Sequence, residues 1–121
     1  MNKNKQTGDY GEEIACRLLA SKGFKILCRN FKSRYGELDI IADSGEILVF
    51  AEVKTRKYSS RYSPREAVDF RKQEKIIKTA YMYMMDYGGE SQPRFDVIEV
   101  ILANEQKVCS ITHIEDAFRV S

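Results

Sequence analysis

Histidine occurs once in this 121-residue chain, at position 113, and cysteine three times. A single imidazole near the C-terminal end argues against Ser/His/Asp hydrolysis, histidine-based nuclease chemistry and zinc catalysis, and leaves His113 as a structural residue. Cys16, Cys28 and Cys109 are odd in number, far apart and without a CxxC spacing. Neither a disulfide framework nor a zinc site is indicated, and the three read as buried, reduced thiols. No apolar run approaches the roughly 18 residues of a membrane span, and Met1 to Gln6 is polar, without the apolar core of a secretion signal. The expectation is a cytoplasmic protein with no membrane partner. Repeats, low-complexity segments and linkers are also missing, so 121 residues with 43% hydrophobic content predict one domain, residues 1–121, with a real core.

Large net charge is lacking too: the formal value is +2, with 31% charged residues. That total does not by itself require a nucleic-acid partner. Its distribution says more, because residues 54–78 hold nine Lys or Arg against three acids, a local excess of +6 that leaves −4 for the remainder.

The order of elements is legible from periodicity. Asp9, Tyr10, Gly11 and Glu12 make a helix start with a capping-box acid, and Ile14, Ala15, Leu18 and Leu19 recur at helical spacing until Gly23, predicting a first helix near residues 7–22. Segments 24–30, 36–43 and 46–55 predict a three-stranded meander, the last two strands joined by a tight turn at Ser44 and Gly45. Ser63, Pro64, Arg65 and Glu66 combine an N-cap, a helix-opening proline and a capping acid before a pattern through Val68, Ile76, Ile77, Ala80 and Met84 that Gly88 and Gly89 end. A short turn followed by a helix from near Asp69 fits the same pattern. Residues 94–102 read as a strand, 108–114 as a weaker one and 115–118 as a last helical turn. The order is αβββαββ. Leu48 to Val53 and Val97 to Leu102 are apolar on both parities, which predicts an α/β fold with a central sheet covered on both faces.

Two apolar runs carry polar interruptions: Glu37, Leu38 and Asp39 open one, and Glu52, Val53 and Lys54 close the next. Burying a carboxylate is costly unless it is paired or binds a metal, so these acids are expected at a sheet end where something compensates them. With the turn at Ser44 and Gly45, Asp39 falls opposite Leu48 to Phe50, near enough for Asp39 and Glu52 to approach. Two close carboxylates raise one pKa or recruit a cation, and oxygen ligation suits Mg²⁺ or Mn²⁺. Lys54, two residues past Glu52 on the same face, completes a set suited to metal-assisted phosphodiester hydrolysis. Against this stands an exposed acid and lysine at a strand end, of little energetic consequence. Glu12 is well explained by helix capping and the helix dipole, and Glu37 is either an acid supporting the site or the solvent-facing start of a strand.

The stretch from Lys54 to Tyr62 is basic and aromatic, either a solvated loop or a phosphate-holding one that includes Arg56, Lys57 and Arg61. Lys72 and Gln73 are placed to face the same site, whereas Lys75 and Lys78 read as an ordinary wet helix face. The Tyr- and Met-rich segment from Tyr81 to Tyr87 reads as core or as a subunit contact.

Taken together, Gly8, Gly11-Glu12, Ala15, Gly23, Arg29-Asn30, Gly36-Glu37-Leu38-Asp39, Glu52-Val53-Lys54, Arg56, Pro64, Glu66-Ala67-Val68, Lys72 and Arg94-Phe95-Asp96-Val97 resemble the YraN-like family of bacterial proteins over nearly the whole chain. That family is similar to archaeal Holliday-junction resolvases and to the PD-(D/E)xK nuclease superfamily. The resemblance implies a restriction-endonuclease-like fold with a mixed central sheet flanked by helices. It also implies Asp39 and Glu52 as metal ligands, the Val53 carbonyl as a third, Lys54 as the catalytic lysine and Glu12 as the additional acid. The expected function is Mg²⁺- or Mn²⁺-dependent cleavage of branched or distorted DNA, with Arg56, Lys57, Arg61 and Lys72 on phosphate and a homodimer implied by kinship. The competing expectations are a non-catalytic nucleic-acid-binding or assembly module that keeps the fold, and a protein-interaction domain using the Tyr- and Met-rich helix end.

Overall fold

Strands that are apolar on both parities need cover on both faces, and two helices supply it. A computed structural model of the protein describes residues 3–58, 68–104 and 107–120. Its elements are α1 (Lys3–Ser21), β1 (Lys25–Ser33), β2 (Gly36–Asp43), β3 (Ile47–Lys57), α2 (Phe70–Tyr87), β4 (Gln92–Asn104) and β5 (Lys107–Phe118). The five strands form one sheet in the order β1-β2-β3-β4-β5, antiparallel throughout except for the parallel pair β3 and β4. This is the expected αβββαββ order, an α/β sheet with helices on its faces and a restriction-endonuclease-like arrangement. No helix among the described residues is long and apolar enough to cross a membrane.

Alternation on the strands divides the core in two. Ile14, Ala15 and Leu19 of α1 pack with Ile40, Ala42, Val49, Ala51, Ile98 and Val100. On the other face Ile76, Ala80 and Tyr83 of α2 pack with Ile41, Leu48, Phe50, Phe95 and Val97. Strand β4 is buried without interruption from Phe95 to Leu102.

Several expectations change. Helix α1 begins at Lys3 rather than near residue 7, so Asp9 to Glu12 lie inside it and cap nothing. Helix α2 begins at Phe70, with the Asp69 side chain accepting from Lys72 N–H at 2.9 Å; the proposed Ser63 start and Arg61 lie outside the described residues. Lys54 to Lys57 continue β3 instead of opening a loop, because β4 pairs with them as far as Lys57 and Leu102. Residues 115–118 are strand, the end of β5. Of the cysteines only Cys16 is buried, while Cys109 is exposed. In the Tyr- and Met-rich segment, Tyr83 belongs to the core and Tyr81, Met85 and Tyr87 are exposed.

His113 is structural, as its isolation suggested. Lys22 Nζ stands 2.7 Å from His113 Nδ1; an ammonium only donates, so the imidazole Nδ1 accepts and Nε2 carries the proton. Nε2–H donates to Asp96 Oδ2 at 2.7 Å, and the fully buried Asp96 carboxylate also accepts from Arg94 Nε at 2.9 Å, Arg94 Nη2 at 2.8 Å and Asp116 N–H at 3.0 Å. Burial alone pushes this carboxyl up, but the His113, Arg94 and Asp116 hydrogen bonds outweigh it and hold Asp96 below its ordinary range. Removing one member leaves buried charge and donors uncompensated, so Asp96→Ala is expected to cost about 3–5 kcal/mol in urea unfolding. A loss below about 1 kcal/mol would show that the network is not a structural anchor.

Candidate metal and nucleic-acid site

The site is built by the register of the β2–β3 hairpin. Ser44 N–H donates to Ile47 O at 3.0 Å, which centres the turn on Gly45 and Glu46, one residue later than expected, with Gly45 at φ +96°. Moving a turn centre by one residue moves every cross-strand partner by two, so each side chain keeps its face. The ladder therefore runs from Asp43 opposite Leu48 to Ile40 opposite Ala51, and its next step brings Asp39 level with Glu52 instead of Phe50. There the regular ladder stops, and Val53 N–H donates to Asp39 Oδ2 at 2.8 Å.

Two carboxylates now share the fork between β2 and β3. Burial first, and the Glu52 charge second, push the Asp39 carboxyl up to about 8, against the opposing pull of the Val53 N–H. Glu52 is buried, and its Oε1 accepts from Lys72 Nζ of α2 at 2.8 Å. That hydrogen bond raises the Lys72 pKa in return. A lysine cation thus already offsets part of the negative charge, as a divalent ion would.

Depressions lie on either side of this fork. One is lined by Glu37, Asp39, Glu52, Lys72 and Lys75; the other by Thr7, Gly8 and Glu12 of α1 with Val53, Thr55, Arg56 and Lys57 of β3. Glu12 Oε1 is buried with no hydrogen-bond partner among the described residues, and Arg29 Nη2 stands 3.8 Å away. Burial raises the Glu12 pKa, while the Asn30 side chain, hydrogen-bonded to the carboxylate, and the Arg29 charge oppose the rise. Asn30 adopts a left-handed conformation, φ +55°, between the ladder pairs Arg29–Ile40 and Phe31–Leu38, so it sits across from Asp39. Asn favours that conformation more than most residues, which gives the position a local rationale.

The structure thus brings Asp39, Glu52, Val53 and Lys72 together, and sets Glu12 near enough for its charge to act on Asp39. Arg56 and Lys57 are exposed on β3 beside Glu12 rather than with Lys72. Among the described residues no three His, Cys, Asp or Glu side chains form a closed metal cage. A carboxylate pair with one nearby orphaned carboxylate oxygen fits Mg²⁺ or Mn²⁺, because Mg²⁺ takes one or two protein carboxylates and keeps its waters. Lys54 is half-buried and lies in register beside Glu99 of β4, which is 1% exposed. Glu99, Asn30 and Arg29 have no role that the sequence alone assigns. Their signals are an acid within an apolar strand and a polar pair within another strand, neither of which points to a neighbour before the register is known.

A family model described as "Uncharacterised protein family UPF0102" matches residues 11–100. The chain belongs to that family. It is 48% identical over 118 residues to a UPF0102 protein of Caldanaerobacter subterraneus subsp. tengcongensis, covering 95% of this chain and 97% of the relative. A UPF0102 protein of Clostridium tetani is 47% identical over 119 residues, covering 97% of each. One of Rhodococcus jostii is 43% identical over 119 residues, covering 98% of this chain and all of the relative. The resemblance to a YraN-like bacterial family is therefore borne out. The UPF0102 segment contains Glu12, Asn30, Asp39, Glu52, Lys54, Lys72 and Glu99, so the whole fork lies inside the matched region.

Proposed function

We propose that residues 1–121 form one metal-dependent endonuclease domain that hydrolyses phosphodiester bonds in branched or distorted DNA in the cytoplasm. The observation that carries this reading is the Asp39–Glu52 pair at the fork of β2 and β3, where burial first and the Glu52 charge second hold Asp39 at about 8. Buried carboxylates so strained are expected at functional sites. Bound Mg²⁺ or Mn²⁺ would polarise a phosphoryl oxygen and acidify a water, with Asp39, Glu52, the Val53 carbonyl and Glu12 as its ligands or their supports. Val53 N–H orients the Asp39 carboxylate, and the Lys72 ammonium keeps Glu52 in place. Lys54 positions the attacking water and offsets charge that develops on phosphate, from a place on β3 in register with the buried Glu99 of β4. Arg56, Lys57, Arg61 and Lys72 are the phosphate contacts that hold the strand. A homodimer, with two such sites acting on two strands, belongs to the same proposal.

The test is cleavage of labelled four-way-junction, flap, duplex and single-stranded DNA with Mg²⁺, Mn²⁺ or EDTA, with light scattering run alongside. Products that need metal and that fall about 100-fold or more in Lys54→Met are expected, the scale on which charge-stabilising groups act. Cleavage that persists in Lys54→Met would remove the catalytic assignment, and a monomer in light scattering would remove the dimer. One observation favours a second reading: Lys72 already neutralises Glu52, so the fold can be kept without a productive metal. In that case a non-catalytic nucleic-acid-binding module would bind DNA with steep salt dependence and give no product under any condition.

A further inference from the structure

Beside the Asp39–Glu52 depression the structure gathers cations that lie far apart in the sequence. The turn between β1 and β2 holds Arg34 and Tyr35, and it is pinned to α2. Tyr35 N–H donates to Ser33 Oγ at 3.1 Å, and Ser33 Oγ shares a 2.9 Å hydrogen bond with the fully buried Thr79 Oγ1. Two positive groups meet at the Tyr35 ring, Arg34 Cζ at 5.0 Å and Lys78 Nζ at 5.4 Å from its centroid. Arg34 Nη2 also donates to Tyr35 Oη at 2.9 Å. One turn back along α2, the exposed Lys75 lines the same depression as Asp39, Glu52 and Lys72. Among the described residues none of Arg34, Lys75 and Lys78 has a carboxylate within ion-pair distance.

Holding like charges together is unfavourable unless a partner of opposite sign arrives, and a pinned turn that keeps them together prepares the surface for one. Lys72, Lys75 and Lys78 rise about 9 Å along α2 at 1.5 Å per residue, close to three nucleotide steps of one strand at about 3.4 Å each. We propose that Arg34, Lys75 and Lys78, organised around Tyr35, form a phosphate-binding rim that guides a nucleic-acid backbone into the Asp39–Glu52 fork. This deepens the proposed function and rests on its nucleic-acid partner. It moves the backbone track to the α2 side of the site, adding residues that periodicity alone reads as a wet helix face.

The probe is a fluorescein-labelled DNA duplex and a single strand of the same length, both titrated in EDTA so that binding is read without cleavage. Replacing Arg34, Lys75 and Lys78 together by Ser is expected to weaken binding at least about tenfold at low salt. It should also flatten the slope of log affinity against log salt by about 2–3, near one unit for each phosphate that is no longer neutralised. All three side chains belong to exposed residues, and the melt should stay within a few degrees of wild type. Tyr35→Phe should keep the wild-type slope, whereas Tyr35→Ala, which releases the two cations, should lower affinity several-fold. Replacing Arg17, Lys25 and Lys107 instead removes the same charge from elsewhere on the surface and should leave the slope within about half a unit of wild type. An unchanged slope in the rim variant, or an equal loss in the control, overturns the rim while leaving the nuclease reading intact. Wild-type protein that binds neither probe overturns the rim and the nucleic-acid partner together.

Discussion

In metal-free buffer at pH 8, Asp39→Asn is expected to melt higher than wild type, and adding Mn²⁺ should narrow that gap. The Asp39 carboxyl sits at about 8 in the folded protein against an ordinary value of 3.8. Between those values the folded state holds a proton that the unfolded state has released, so stability is fully present below about pH 4 and falls as pH rises toward 8. Each unit of that window is worth about 1.4 kcal/mol, and relaxation of a coupled pair reduces the total to roughly 2–5 kcal/mol. Asn is neutral throughout, has nearly the same shape and still accepts from Val53 N–H. The variant should therefore lose the downward slope and gain roughly 5–10 °C at pH 8 in EDTA. Mn²⁺ prefers the ionised pair, so saturating metal should raise the wild-type melt by about 2–3 kcal/mol equivalent and leave the variant almost unmoved. Metal-dependent cleavage, where wild type shows it, should disappear in the variant. An Asp39→Asn protein that melts below wild type at pH 8 in EDTA would mean that the ionised carboxylate is already compensated, and the site would lose its reason to recruit a cation.

How far the sequence leads to that site depends on which interactions are local. The order of elements along the chain, the two-sided core and the place of Glu52-Val53-Lys54 at the end of an apolar run follow from alternation and run length, which are local signals. The turn between β2 and β3 does not, since Ser44 and Gly45 make as good a two-residue turn on paper as Gly45 and Glu46. Asp43 settles it by accepting Gly45 N–H at 2.9 Å and Ser91 Oγ–H at 2.8 Å, the latter from a residue 48 positions away. Glu12 shows the same limit. A capping acid and a mid-helix acid look alike until the helix start is known, and α1 extends to Lys3. The roles of Asn30 and Glu99 depend on register with β2 and β3, and so could not be read from either strand alone.

Gly11→Ala should destabilise the protein although alanine is the better helix former. Glycine inside a helix costs about 1 kcal/mol relative to alanine, so substitution at an unobstructed position should stabilise. Gly8 is such a position in α1, with nothing within 4 Å of where a Cβ would stand. At Gly11 the added Cβ would lie 1.9 Å from Thr55 Oγ1 and 2.9 Å from Thr55 Cβ, distances that no side-chain adjustment within a packed helix–sheet contact absorbs. Relieving that overlap means lifting α1 off β3, and overpacking of this kind costs about 1–3 kcal/mol or more. The penalty outweighs the propensity gain, so the melting temperature should fall by roughly 5–10 °C while Gly8→Ala raises it by a few degrees. Thr55→Ala removes the hydroxyl but leaves the Cβ, so the double variant should recover part of the loss, a coupling that independent effects would not show. The displacement also carries Glu12, the next residue, away from Asp39. Where wild type cleaves DNA, Gly11→Ala should lose on the order of 100-fold in rate even at temperatures where it remains folded. Equal shifts for Gly8→Ala and Gly11→Ala would show that the close approach of α1 to Thr55 is not what fixes the helix in place.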